Sequence, residues 1–333
     1  MNQKFAYRDR LLLELSNNSR MKRKEISKKL RISPQLISYA IDKMSHEKTI
    51  LNYQVRIDPA KFGLLNVMVF MVYTTFEKEQ QKKIKDYLLE TAYVTYIDET
   101  SHKADLIVEY TVPNLSFFNK THAQFLHQFN NDIKVIEIYP VIVKHFFPQR
   151  FLNKRSKFSS DIILSGDRER IDLSESSRSI LSELIKNPQI GIVDIAKKTG
   201  LNVRTVTKKI KLLEENQIIR GYGITLNYAQ LGISVGSILV KMYNPVPTVM
   251  KKMVTFCETL HEVTSLTKLL GVYDLLIRIE SFKSYSETLN QLRAEFRFYE
   301  YTVCDSSNIL KNTYVPESEV LQENRKNKQN IYI

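Results

Sequence analysis

Arg204, Thr207, Lys208 and Lys211 stand at i, i+3, i+4 and i+7, the spacing that lines up one face of an α-helix. Val206, Ile210 and Leu213 repeat at i, i+4 and i+7 on the opposite side and must face a core. An arginine or lysine on such a face can bond guanine O6 and N7, and a lysine one turn further on is better placed for a phosphate. Arg204 and Lys208 are therefore expected at base edges or phosphates, with Thr205 and Thr207 supplementing them and Lys211 on the backbone.

The neighbouring residues supply the frame for that helix. Asn202 suits its N-cap and Gly200 the turn before it, so residues 193–199 read as a preceding helix. Ile180, Leu181 and Leu184 mark a first helix that ends at Asn187-Pro188. Asn216 suits a left-handed cap at the far end. The stretch IIRGYGITLNY then reads as a two-stranded wing turning near Gly221 to Gly223.

A blurred copy of DIAKKTGLNVRTVTKKI (194–210) stands at 25–41 as EISKKLRISPQLISYAI, so that Asp194 answers to Glu25. The same displacement relates Leu12 to Leu181, Ile50 to Ile219, Tyr53 to Tyr222 and Gly63 to Gly232. A period of this length is a domain set, not a stacking repeat. In the first copy Ser33 and Pro34 open the third helix. Ile37, Ile41 and Met44 face inward, leaving Gln35, Ser38, Tyr39 and Asp42 outward. That face is neutral to acidic, and its basic residues, Lys22, Arg23, Lys24, Lys28 and Lys29, precede it. They are expected to add sequence-independent affinity for a polyanion, while Gln35, Ser38 and Tyr39 read bases.

After each wing the chain alternates an apolar strand, a helix, two strands, a helix and a last strand, the βαββαβ order of a ferredoxin-like unit. Helices cover one face of such a sheet. The other face, apolar in alternation, needs a cover, which a second unit packed sheet to sheet would provide. The fold class is α+β, with two winged helix-turn-helix domains and two ferredoxin-like βαββαβ domains in tandem duplication. The expected divisions are 1–63 and 64–146, a linker over 147–170, then 171–232 and 233–315, with a tail over 316–333.

The chain has 333 residues and a formal charge of +13. Charge matters to a polyanion where it clusters: residues 1–50 hold twelve Lys/Arg against five Asp/Glu, and residues 171–232 nine against six. No apolar run approaches the roughly 20 residues a membrane span needs, and MNQKFAYRDR lacks a signal-peptide core, so a cytoplasmic protein without a membrane partner is expected. Cys257 and Cys304 lie outside any CxxC spacing and read as packing residues. His122 and His127, five apart on an amphipathic helix, have no convergent cysteine or acid. No HExxH, phosphate-cradling glycine loop or paired carboxylates emerge, so neither metal, cofactor nor enzymatic activity is expected.

A winged module followed by βαββαβ resembles the leucine-responsive regulator (Lrp/AsnC) family, archaeal-type and here doubled. The residues carrying the resemblance are IAKKTGLNVRTVTKKIKLLEENQIIRGYGITLNYAQLGI and GVYDLLIRI at 271–279, with its Gly-x-Tyr-Asp start. The resemblance implies a transcriptional regulator on double-stranded DNA, dimerisation through the βαββαβ domains, and a small effector such as an amino acid. In the second copy Gly271 and Asp274 would belong to the effector loop. The alternative for Asp274 and its counterpart Asp105 is a strand-edge role. His102 and Ala104 replace Gly271 and Tyr273 in the first copy, and Arg31 replaces Gly200. A doubled chain would form its own pseudo-dimer with an asymmetric operator, or exchange domains with a second chain in a homo-oligomer. Fused relatives of the family act as sirohaem decarboxylases, with a His-Asn-Tyr motif and an Asn-Leu-Trp-Phe segment. The matching stretches here, EVTSLTKLL and YVTYIDETS, carry neither, and the chain has no tryptophan. A third reading is an interaction scaffold whose winged helices do not touch DNA.

Overall fold

The computed structural model describes residues 3–158, 162–316 and 320, with side chains from residue 7. The first copy runs α1 (Gln3–Asn17), α2 (Arg23–Leu30), α3 (Pro34–His46), β1 (Ile50–Ile57), β2 (Leu65–Tyr73), α4 (Lys78–Glu90), β3 (Val94–His102), β4 (Leu106–Val112), α5 (Leu115–Phe129) and β5 (Ile133–Phe146). A short β6 (Ile162–Ser165) follows. The second copy runs α6 (Glu175–Lys186), α7 (Ile192–Thr199), α8 (Val203–Glu215), β7 (Ile219–Leu226), α9 (Tyr228–Leu231), β8 (Ser234–Met242), α10 (Pro247–Thr259), β9 (Val263–Leu269), β10 (Leu275–Ser281), α11 (Ser286–Glu295) and β11 (Phe298–Asn312). The helical starts follow their caps: Ser33 accepts from the Leu36 N–H, Ser174 from Ser177 and Asn202 from Thr205.

The wing departs from the sequence reading. Residues 219–226 form one continuous strand, and β7 pairs antiparallel with β1 of the other copy. Gln54 faces Gly223, its own counterpart in the duplication, so a pseudo-two-fold axis passes through this pair. The two glycines taken for a turn have other work. Gly221 sits at φ +153 beside a register shift opposite Arg56 and Ile57. A Cβ on Gly223 would stand 2.6 Å from the Arg56 guanidinium, which donates to the Ser16 carbonyl across it. The left-handed position after α8 likewise falls on Gln217, at φ 58, and not on Asn216.

This ribbon exchanges core residues between the copies. Ile224, Leu226, Leu231, Ile233 and Val235 pack among Leu12, Ile26, Ile37 and Ile41 of the first helical unit. Val55, Ile57 and Leu64 pack among Leu181, Ile195, Val206 and Leu213 of the second. At about 1.5–3 kcal/mol for each buried side chain, the five from the second copy are comparable to the whole net stability of a domain, about 5–15 kcal/mol. Neither helical unit is complete without the other copy's strand. Arg20 also joins the two: its guanidinium donates to the Pro188 and Ile190 carbonyls, while Gln189 donates to Ser19.

Each βαββαβ unit has the strand order last, first, third, second: β5-β2-β4-β3 and β11-β8-β10-β9. The long last strands leave their own sheet, β5 pairing with β9 and β11 with β3. Eight strands thereby close into a ring within one chain. Helices α4 and α5 cover the outside of the first unit over Val69, Leu106 and Val108, and α10 and α11 that of the second over Ile238, Leu275 and Ile277. The inward faces meet as expected, but they are not uniformly apolar. One end is filled by Met68, Phe70, Tyr139, Leu239 and Leu276, whereas Asn66, Asp98, Glu109 and Glu280 are buried at the other.

The segment read as a linker is partly built in. Phe147, Phe151 and Leu152 are buried, and β6 adds to β5 as a ninth strand, with Leu164 and Ser165 inside. Its apolar triplet, Ile162 to Leu164, supplies what the polar average concealed. Of the tail, Val320 is buried against the second helical core; residues 317–319 and 321–333 lie outside the described residues. No helix among the described residues is long and apolar enough to cross a membrane.

Candidate nucleic-acid interface

Helix α8 is held from beneath by Val206, Ile210 and Leu213, all buried against α6 and α7. That anchoring turns Arg204, Thr207, Lys208 and Lys211 to solvent together. Thr205 is half-buried, its backbone N–H on Asn202 Oδ1 at 2.8 Å. The Thr207 hydroxyl donates to the Val203 carbonyl at 2.9 Å, so it would meet a base as an acceptor. Lys211 lies 3.2 Å from Glu215, an exposed pair of little strength that a phosphate can displace. Gly200, in the left-handed conformation at φ 68, ends α7 and sets the turn.

In the first copy Arg31 occupies that left-handed position without relaxing it, at φ 57 and ψ 47. On α3, Gln35 and Tyr39 are exposed and Ser38 is half-buried; Asp42 shares the exposed face. Lys22, Lys24, Lys28 and Lys29 are exposed and Arg23 is half-buried. Lys29 pairs with Glu14 at 3.0 Å and lies over the Phe158 ring. The counterparts of Lys28 and Lys29, Lys197 and Lys198, were missed by sequence reasoning. Both are exposed in the last turn of α7, and Lys198 meets Glu183 at 2.8 Å. The constant displacement between the copies was signal enough to find them.

Gly271 and Asp274 lie elsewhere, on the rim of the strand ring. The Asp274 carboxylate accepts from the Met242 N–H at 2.7 Å, and Asp105 accepts from the Tyr73 N–H at the same distance. Both copies therefore use this aspartate to tie a strand edge. A Cβ on Gly271 would stand 2.7 Å from the Tyr139 ring, which packs on its backbone. His102, the counterpart of Gly271, is exposed at φ 73.

His122 and the two cysteines sit apart from this surface. His122 is buried between Phe118 and Phe125, both ring nitrogens without a hydrogen-bond partner among the described residues, and burial lowers its pKa to about 4. Cys257 and Cys304 are free and buried, their thiols pushed up to about 12 by desolvation. No group of three or more metal-ligating side chains occurs among the described residues.

The fold and its surface define a class: a doubled winged-helix and ferredoxin-like chain with an exposed basic recognition helix. Residues 173–220 match a family model described as winged helix-turn-helix DNA-binding. The leucine-responsive regulatory protein of Escherichia coli strain K12 is 27% identical over 157 residues, 46% of this chain and 90% of that protein. An uncharacterized HTH-type transcriptional regulator of Pyrococcus furiosus is 29% identical over 115 residues, 34% of this chain and 75% of that protein. Among solved structures, the siroheme decarboxylase NirDL superposes with a TM-score of 0.57 at 12% identity, covering 94% of this chain and 96% of that one. That likeness is one of fold. The second half of the chain is thus similar in sequence to regulators of the Lrp/AsnC type, and the winged-helix and βαββαβ unit occurs twice.

Proposed function

We propose that this chain is a sequence-specific, DNA-binding transcriptional regulator that reads an asymmetric operator and responds to a small amino-acid-like effector. The observation that carries the reading is the exposed row Arg204, Thr207, Lys208 and Lys211 on the anchored helix α8, in the module that matches the winged DNA-binding family. The two helical units hang from one pseudo-symmetric ribbon, as the two readers of a dimer would. Their outward faces differ: basic on α8, and Gln35, Tyr39 and Asp42 on α3. A two-fold axis relating unlike readers favours unlike half-sites. Lys22, Lys24, Lys28 and Lys29 supply phosphate attraction that falls with salt.

Fluorescence anisotropy with a cognate duplex and a scrambled one tests this. Arg204→Ala should weaken the cognate complex by about 1–3 kcal/mol and leave the scrambled one nearly unchanged. Equal loss on both would make Arg204 a phosphate contact, and an unchanged cognate affinity would remove α8 from the interface.

A further inference from the structure

The two winged units meet at two places. One is the β1–β7 ribbon, a two-stranded sheet with a register shift near each end. Two-stranded ribbons take a wide range of twist, so the ribbon alone would leave the angle between the units loose. The other place is where the turn between α1 and α2 faces the turn between α6 and α7. There Arg20 donates from Nη1 to the Pro188 carbonyl at 2.6 Å and from Nη2 to the Ile190 carbonyl at 3.0 Å. Gln189 Nε2 donates back to the Ser19 carbonyl at 3.3 Å and to Ser19 Oγ at 3.2 Å.

Arg20 and Gln189 are counterparts in the duplication, so each bonds a residue that flanks the other across the pseudo-two-fold axis. In a dimer of identical chains one residue type would face itself here, and two arginines would bring like charges together. A chain holding both copies is free to set a cation on one side and an amide on the other. Ser19 is buried, and Arg20 and Gln189 are half-buried, so these bonds are partly shielded from competing water.

The contact reaches both reading helices. The Arg20 guanidinium lies over the Tyr222 ring at 5.4 Å, and the Tyr222 hydroxyl donates to Glu214 Oε1 on α8 at 2.8 Å. The Ser19 N–H donates to the Tyr222 carbonyl at 3.2 Å. In the first copy the counterpart of Tyr222, Tyr53, bonds Ser45 on α3 at 3.3 Å. Each ribbon tyrosine thus ties its own reading helix to the ribbon, and Arg20 ties the first unit to the second beside one of them.

We propose that Arg20, with Gln189, is a brace that fixes the distance and angle between α3 and α8, so that the chain selects the spacing of its two half-sites as well as their sequence. The proposal rests on the regulator reading. One added base pair moves a half-site by about 3.4 Å along the duplex and turns it by about 35°. Braced readers cannot follow that move, whereas readers joined by the ribbon alone can twist toward it. Arg20 is a positioning residue: its guanidinium is engaged by two carbonyls and a ring, and it acts through the placement of α8.

Fluorescence anisotropy with the cognate duplex, and with duplexes whose half-sites are moved apart or together by one base pair, tests the proposal. Native protein should lose about tenfold in affinity at either altered spacing. Arg20→Met, which keeps the stem and removes the donors, should lose less than about threefold there, and should bind a duplex holding only the α8 half-site as the native protein does. Gln189→Leu removes the reciprocal donor and should flatten the profile in the same direction, which decides the matter if Arg20→Met melts below the assay temperature. Arg20→Lys should restore part of the native profile. A profile that both variants leave unchanged, or an equal loss on every duplex including the single half-site, overturns the brace. Native protein that binds the cognate duplex but ignores spacing sinks the brace alone; native protein that prefers no duplex over a scrambled one sinks the regulator reading with it.

Discussion

His122 is predicted to be a measurable acid weakness of the first βαββαβ unit. Its ring stacks on Phe118 at 5.2 Å and 12° and meets the Tyr110 ring edge-on at 5.8 Å. With no partner for either nitrogen among the described residues, the neutral ring fits and the charged ring does not. The folded pKa of about 4 lies below the ordinary value of 6.5, so between these values the unfolded chain binds the extra proton. Stability from this group is therefore full above pH 6.5 and is lost as pH falls toward 4. At about 1.4 kcal/mol per pH unit the loss is about 2 kcal/mol at pH 5 and about 3 kcal/mol at most. Replacement by phenylalanine keeps the stack and removes the titration. Urea denaturation at pH 7.5 and pH 5, in native protein and His122→Phe, reads the difference directly. The variant should lose about 2 kcal/mol less than the native protein over that interval. An identical loss in both would show that His122 is solvated or finds a partner and is not the acid-sensitive group.

Two further substitutions probe the frame. Arg31→Gly removes a Cβ from a left-handed position at φ 57 and should stabilise the protein by about 0.5–1 kcal/mol, read as a raised melting temperature. Ile224→Ala should cost about 2–4 kcal/mol. Because Ile224 is buried in the other copy's core, hydrogen exchange should quicken in α1 to α3 more than in α6 to α8; the reverse order would contradict the exchanged ribbon.

Periodicity and displacement carried much of the architecture. The i, i+4, i+7 row of Val206, Ile210 and Leu213 located α8, and the constant offset between matched residues of the two halves announced two copies. The ribbon was not legible, because glycines 221 and 223 look locally like a turn and the true partner strand belongs to the other copy, far away along the chain. The four-residue β6 was hidden in a polar average. Pairing within the chain was one of two arrangements the sequence allowed, and the long β5 and β11 strands, each reaching into the other unit's sheet, realise it. The polar end of the strand ring left a trace in the sequence: Glu109, Arg278 and Glu280 interrupt apolar strands on the face that should be buried. Their convergence on one space depends on closing the ring, which no local pattern encodes.

Two unlike readers that share one chain and one pseudo-two-fold axis should select an asymmetric operator. Enrichment sequencing of a random DNA library with the purified chain, at moderate and high salt, reads that operator. One asymmetric motif should emerge that survives high salt and vanishes when Arg204 and Lys208 are both changed to alanine. A palindromic motif would show two like readers, and weak motif-free binding that salt abolishes would show no base reading at all.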